Sequence, residues 1–106
     1  MNTFQNKNDS LESIIFESKL KIVAIDFHTE INTMLIVLNT GTVIHSEINI
    51  TESLKGASLE QLKDYAIIAE GTGIHWASLD EDISLKGFLK TTIQKQRNSH
   101  RELVIR

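Results

Sequence analysis

The sequence predicts an α+β fold: an antiparallel three- or four-stranded meander with two helices packed on one face. Two observations carry this prediction. Three short runs rich in β-branched residues follow one another over residues 21–50, separated by turn signals. The period of the apolar residues then changes to that of a helix, first after Ser58 and again after Ser84.

The predicted strands occupy residues 21–28, 33–38 and 43–50. The first (KIVAIDFH) is β-branched or aromatic, and the second (TMLIVL) is apolar on both faces. The third alternates, which suits a sheet with one covered face. Polar residues 29–32 and a turn at residues 39–42 connect the strands, and Gly41 in that turn is free to adopt a positive φ.

Capping signals place the two helices. Ser58 and Gln61 can form a capping box for a helix over about residues 59–66, whose apolar residues recur at helical spacing. Residues 66–70 could end this helix or begin another strand. After Gly71-Thr72-Gly73, which we interpret as a turn, residues 74–76 predict a short extended piece. Ser84 caps the second helix, over about residues 85–95.

The ends of the chain are less regular. Residues 1–10 are polar and predict a flexible tail, whereas residues 11–16 (LESIIF) fit a strand or a helical turn equally well. Residues 97–106 form a basic C-terminal end that is a candidate for disorder, and the apolar residues 103–105 fit an edge strand or a disordered end. Residues 1–106 thus form a single small domain.

Composition excludes several classes of protein. The apolar fraction of 41% and the charged fraction of 24% are ordinary for a soluble domain. The absence of Cys excludes disulfides, thiol catalysis and cysteine-based zinc sites. We expect no signal peptide and no membrane contact, hence a cytoplasmic protein. A domain of this size has a thin stability margin, so a protein partner or a homodimer is expected.

Charge is unevenly distributed along the chain. Residues 1–89 contain 6 basic and 13 acidic residues, whereas residues 90–106 contain 5 basic and 1 acidic. The acidic body is expected to meet a basic protein partner, for which the candidates are Glu47, Glu52, Glu60 and Asp64. The basic end suits a helix C-terminus, and alternatively it could contact nucleic acid. The candidates for that second role are Lys95, Arg97, Arg101 and Arg106.

The most distinctive segment is residues 73–85 (GIHWASLDEDISL). Because neighbours on a strand face opposite ways, Trp76 is expected in the core with His75 at the rim, or the reverse. Asp80, Glu81 and Asp82 could bind a metal with His75, but negative charge just before a helix N-terminus is the simpler interpretation. We therefore expect no metal, no cofactor and no catalytic residue, and retain these five residues as interaction candidates.

This segment also carries a resemblance. Residues 53–89 resemble the bacterial domain of unknown function family 2442, through Leu54, residues 57–61 (ASLEQ), 71–76 (GTGIHW), 79–85 (LDEDISL) and Phe88-Leu89. The resemblance extends more loosely back to residue 21. This chain has Ala77 where the family usually has Pro, and Thr40-Gly41 where Asp-Gly is common.

The resemblance implies a small α+β domain without an established activity. Genes of the family tend to neighbour those of another small uncharacterised family in toxin–antitoxin-like pairs. We therefore expect a non-catalytic protein-interaction module, an antitoxin-like member of a two-gene system. The alternative is a nucleic-acid-binding regulator that uses the basic C-terminal arm, and a weaker alternative is a metal- or ligand-dependent enzyme at His75 and Asp80–Asp82.

Overall fold

The computed structural model describes residues 7–94 and confirms the α+β class, with two antiparallel three-stranded sheets in place of one meander. The first sheet contains β1 (Ile22–His28), β2 (Thr33–Leu38) and β3 (Val43–Glu47) in that order. The second contains β4 (Ala66–Ile68), β5 (Gly73–Trp76) and β6 (Glu81–Ser84). The helices are α1 (Lys7–Ser18), α2 (Glu52–Lys55), α3 (Leu59–Lys63) and α4 (residues 85–94).

The first sheet is the meander that the sequence predicts, except that its third strand is shorter. Glu47 pairs with Thr33, which is the first residue of β2, so residues after Glu47 have no strand residue opposite them. Residues 48–50 form a 3₁₀ turn instead. Asn32 holds this turn, because its carbonyl accepts from Ile48 N–H (3.1 Å) and its side-chain oxygen accepts from Asn49 N–H (3.2 Å).

The second sheet includes the segment whose structure the sequence left open. Helix α3 ends at Lys63, earlier than predicted, and Asp64 follows as its C-cap. Residues 66–68 are a strand, because all three pair with β5. The predicted extended piece at residues 74–76 is confirmed as part of β5.

The N-terminal segment is more regular than the sequence indicates. Residues 11–16 belong to α1, which begins at Lys7, so residues 7–10 of the predicted tail are helical. Residues 1–6 and 95–106 lie outside the described part of the chain, as do Lys95, Arg97, Arg101 and Arg106. No helix within residues 7–94 is long and apolar enough to cross a membrane.

Both predicted helix caps are present. Ser58 and Gln61 form a reciprocal capping box: Gln61 N–H donates to Ser58 Oγ (3.1 Å), and Ser58 N–H donates to Gln61 Oε1 (3.0 Å). At the start of α4, Gly87 N–H donates to Ser84 Oγ (3.0 Å). Such bonds satisfy backbone donors that have no partner within the first helical turn.

One hydrophobic core joins the two sheets and all four helices. Its largest fully buried side chains come from β2, α2, α3, β5 and α4: Met34, Ile36, Leu54, Leu62, Ile74, Trp76, Leu85 and Phe88. Tyr65, which follows α3, connects to the first sheet. Its hydroxyl accepts from Ile25 N–H (3.1 Å), and its ring packs edge-on against Phe27.

Left-handed backbone closes three of the turns. Asn32 and Asp80 have φ of 52° and end the 3₁₀ turns after β1 and β5, a conformation that Asn and Asp tolerate better than most residues. Between β4 and β5, Ala69, Glu70 and Gly71 all have positive φ. Gly71 also packs against Lys21, where a Cβ on residue 71 would lie 2.6 Å from the Lys21 Cβ.

Candidate functional site

His75 and Asp82 are joined by a side-chain hydrogen bond between β5 and β6 in the second sheet. They lie opposite each other in the register of β5 and β6, and His75 Nδ1 contacts Asp82 Oδ1. A carboxylate in this position orients an imidazole ring, as it does in many general-base arrangements. The side chains remain 36% and 68% exposed, so water screens the pair and its contribution to stability is small.

The three acids of residues 80–82 do not serve a helix N-terminus, so that interpretation is wrong. Asp80 ends a 3₁₀ turn, and Glu81 and Asp82 belong to β6. Because side chains alternate along a strand, Asp82 lies beside His75 on one face of the sheet, and Glu81 lies beside Trp76 on the other face. The acids therefore point in different directions, and residues 7–94 contain no group of three His, Cys, Asp or Glu side chains that could hold a metal.

Trp76 lies in the core with His75 at the rim, which is the first of the two arrangements that the strand pattern allows. Trp76 is completely buried, and its indole N–H donates to the Leu62 carbonyl (2.9 Å). Trp76 therefore does not belong to an interaction surface, and its assignment as an interaction candidate is wrong. The distinctive segment is explained mainly by packing and by turn geometry.

The acidic candidates are all exposed, and three of them lie in or next to short helices that also carry a basic residue. Glu47 ends β3, Glu52 begins α2, and Glu60 and Asp64 lie in and just after α3. Each short helix also carries a basic residue in its last turn. The local charge on α2 and α3 is thus mixed.

A surface that the sequence analysis did not assign is the side of the first sheet that faces away from the core, called here the outer face. Its residues form three rows across β1, β2 and β3: Ala24-Val37-Val43, Asp26-Leu35-His45 and His28-Thr33-Glu47. None of these residues is buried, and Leu35 and Val37 do not pack against the core cluster. The sequence feature that could have revealed this surface is the apolar run over residues 33–38. A sheet with only one covered face does not require a strand that is apolar on both faces.

A second unassigned surface is on α1. Ile15 is buried in the core, whereas Ile14 is 53% and Phe16 is 82% exposed. Between α1 and the turn after β4 lies an open cleft of about 1170 Å³. Its charged lining residues have both signs: Glu12, Glu17, Lys19, Lys21, Glu70 and Lys86.

Comparison with known proteins identifies the family. The model of a family described as "Protein of unknown function (DUF2442)" matches residues 22–94, which is more than half of the chain. The chain belongs to this family. The match begins at β1, so α1 lies outside the segment that defines DUF2442.

Two solved structures share the fold. A crystal structure of a protein of unknown function from Rhodospirillum rubrum matches with a TM-score of 0.60 at 26% identity, covering 68% of this chain and 87% of that chain. A solution structure of an uncharacterised protein from Chromobacterium violaceum matches with a TM-score of 0.62 at 22% identity, covering 85% of this chain and 82% of that chain. A search of curated proteins found no match. These two likenesses support the fold.

Proposed function

We propose that this DUF2442 protein is a non-catalytic module that binds another protein in the cytoplasm. The observation that carries the proposal is the exposure of Phe16, at 82% of its full surface. Transfer of a large aromatic side chain from water into an apolar pocket lowers the free energy, and aromatic residues are enriched at the centres of protein interfaces.

The geometry of α1 supports this role. Ile15 anchors the helix to the core, which holds it in place, while Ile14 and Phe16 project from it into solvent. Lys86 of α4 also binds Glu12 of α1 (3.3 Å). A helix held in this way presents its apolar side chains to a partner without a large loss of entropy on binding.

The expected partner has an apolar pocket with a basic rim. Phe16 is followed by exposed Glu17, and residues 1–89 of the chain contain 13 acidic and 6 basic residues. Attraction between this acidic body and a basic protein would speed association and weaken as salt is added. We propose that the partner is the product of a neighbouring gene, in an antitoxin-like pairing. Glu47, Glu52, Glu60 and Asp64 would contribute to attraction over a longer range.

Affinity capture followed by mass spectrometry tests this proposal. The tagged native protein should retain one small basic protein, and Phe16→Glu should abolish its retention without lowering the melting temperature, because Phe16 makes few contacts within the domain. Leu59→Glu is a matched control, since Leu59 is 44% exposed on a different helix. Equal recovery of the partner by the parent protein and by Phe16→Glu would refute the role of α1.

The competing function is nucleic-acid binding by the basic end. Residues 90–106 contain 5 basic residues and 1 acidic residue, which is a small footprint for such a role. Tight binding of duplex DNA by the full chain at physiological salt would favour this alternative. That binding should then weaken steeply with added salt, because each phosphate contact releases condensed counterions.

A further inference from the structure

The outer face of the first sheet combines an apolar centre with an ordered pattern of polar residues at its edges. Leu35 and Val37 lie on the central strand, and Val43, which is 43% exposed, extends the apolar row onto β3. Apolar side chains on adjacent strands form a continuous patch, and such patches mark interaction sites when nothing within the chain covers them. Within residues 7–94, no core residue packs on this side of Leu35 and Val37.

The polar residues are arranged in opposite order in successive rows. In the middle row, Asp26 lies at the β1 edge and His45 at the β3 edge. In the next row, His28 lies at the β1 edge and Glu47 at the β3 edge. An acid and an imidazole thus stand on opposite edges of the face in both rows.

A two-fold axis along β2 makes both the polar edges and the apolar centre of this face complementary to themselves. A two-fold axis along β2 places β1 of one copy over β3 of the other, so that Asp26 meets His45 of the second copy. Leu35 and Val37 then lie on the axis and meet their own equivalents. A two-fold axis across the strands through the middle row would instead place Asp26 on Asp26 of the second copy, where like charges repel. An axis across the strands between the two polar rows would pair Asp26 with His28, but it would set Leu35 against Thr33 and leave Val37 and Val43 without an apolar partner.

We propose that the outer face of the first sheet binds a second copy of this chain, about a two-fold axis that runs along β2. This surface is separate from α1. The proposed homodimer and the proposed binding of a protein partner through Phe16 can therefore be tested independently, and one can be refuted while the other holds. Two sheets that pack face to face in this way keep their strands within about 30° of each other.

The size of the face predicts a weak dimer. Three strands about 4.8 Å apart and three rows about 6.8 Å apart cover roughly 14 by 20 Å. This is about a third of the roughly 800 Å² that a stable interface buries on each partner, so the face falls below the usual range and supports only a weak, transient dimer. Self-association should therefore depend strongly on concentration.

Sedimentation equilibrium of the full chain, from about 10 μM to about 1 mM, tests the proposal. The parent protein should shift from monomer to dimer across this range. Val37→Lys should weaken association at least tenfold, because two charges would meet on the axis. Ile67→Lys is a matched control on β4, where Ile67 is 39% exposed, and should dimerise as the parent does. A parent protein that stays monomeric throughout would overturn the proposal.

A charge swap tests the direction of the axis. Asp26→Lys and His45→Glu should each weaken the dimer, and the double variant should recover association because a cation and a carboxylate then face each other across the axis. Within one copy the two residues are two strands apart, at roughly 10 Å, so recovery requires contact between copies. If neither single variant weakens the dimer, or if the double variant fails to recover, this arrangement is wrong. Circular dichroism of each variant confirms that it is folded.

Discussion

The indole N–H of Trp76 donates a hydrogen bond to the backbone carbonyl of Leu62, at 2.9 Å, inside the core. Trp76 ends β5 of the second sheet and Leu62 lies in α3, so this bond joins a sheet to a helix. Both residues are at most 1% exposed. A buried donor and a buried acceptor satisfy each other here, which avoids the cost of leaving either without a partner.

Substitution of Trp76 separates the packing of this residue from its hydrogen bond. Trp76→Ala should destabilise the domain by about 3–5 kcal/mol, which is a large part of the total of about 5–15 kcal/mol that such a domain has. Trp76→Phe keeps part of the packing but leaves the Leu62 carbonyl unpaired, so it should cost less than the Ala variant. Urea denaturation measures both. A Trp76→Ala variant that melts within a few degrees of the parent would contradict the buried position.

Tyr65 makes the corresponding connection to the first sheet. Its hydroxyl accepts from Ile25 N–H at 3.1 Å, on a strand at the edge of that sheet. Tyr65→Phe removes the acceptor while the ring can still pack against Phe27, so the loss should be about 1–3 kcal/mol from the unpaired donor. Chemical denaturation measures the loss, and amide hydrogen exchange at Ile25 should become faster. Unchanged exchange at this amide would show that the hydroxyl does not protect it.

Local sequence signals predicted those parts of the fold that local physics determines. The capping residues Ser58 and Ser84 were correct, because a hydroxyl before a helix satisfies donors only two or three residues away. Because side chains alternate along β5, the sequence allowed two arrangements, one with Trp76 in the core and one with His75 in the core. The choice between them depended on the rest of the core, which a single strand does not reveal.

The errors and the unresolved alternatives arose where partners distant in sequence determine the structure. Residues 66–68 could continue a helix, and they form a strand because β5 pairs with them. The acids from Asp80 to Asp82 precede a helix in the sequence, but residues 81–84, which include two of these acids, pair with β5 and form β6. The candidate surfaces were missed for the same reason, because the exposure of Phe16 and of the outer face depends on what covers them.

Three glycines allow backbone strain and steric contact to be measured separately. Gly56→Ala should be neutral or slightly stabilising, because its φ is −101° and nothing lies near a Cβ there. Gly41→Ala should cost about 1–2 kcal/mol, because its φ of +92° is left-handed although the surrounding space is open. Gly71→Ala combines the same φ with the contact to Lys21, so it should destabilise the domain most. Thermal melts that rank these variants differently would contradict the close approach at Lys21.

The pair of His75 and Asp82 offers a test of surface electrostatics. A double-mutant cycle with His75→Ala and Asp82→Ala should give a coupling energy of about 1 kcal/mol or less, since both side chains are partly exposed. The coupling should decrease further in high salt, because the pair is accessible to ions. A coupling well above this value at high salt would show that the pair is shielded from water, for example by a bound partner or a second copy.

Metal ions should not stabilise the domain. The carboxylates of Asp80, Glu81 and Asp82 point in different directions, because the first closes a turn and the other two alternate along β6. A ligand that binds only the folded state must raise the melting temperature, so melts with and without Mg²⁺, Mn²⁺ or Zn²⁺ should superimpose. An increase that disappears in Asp82→Asn but persists in Glu81→Gln would identify a metal site at His75 and Asp82. That outcome would favour the enzyme alternative over the interaction module.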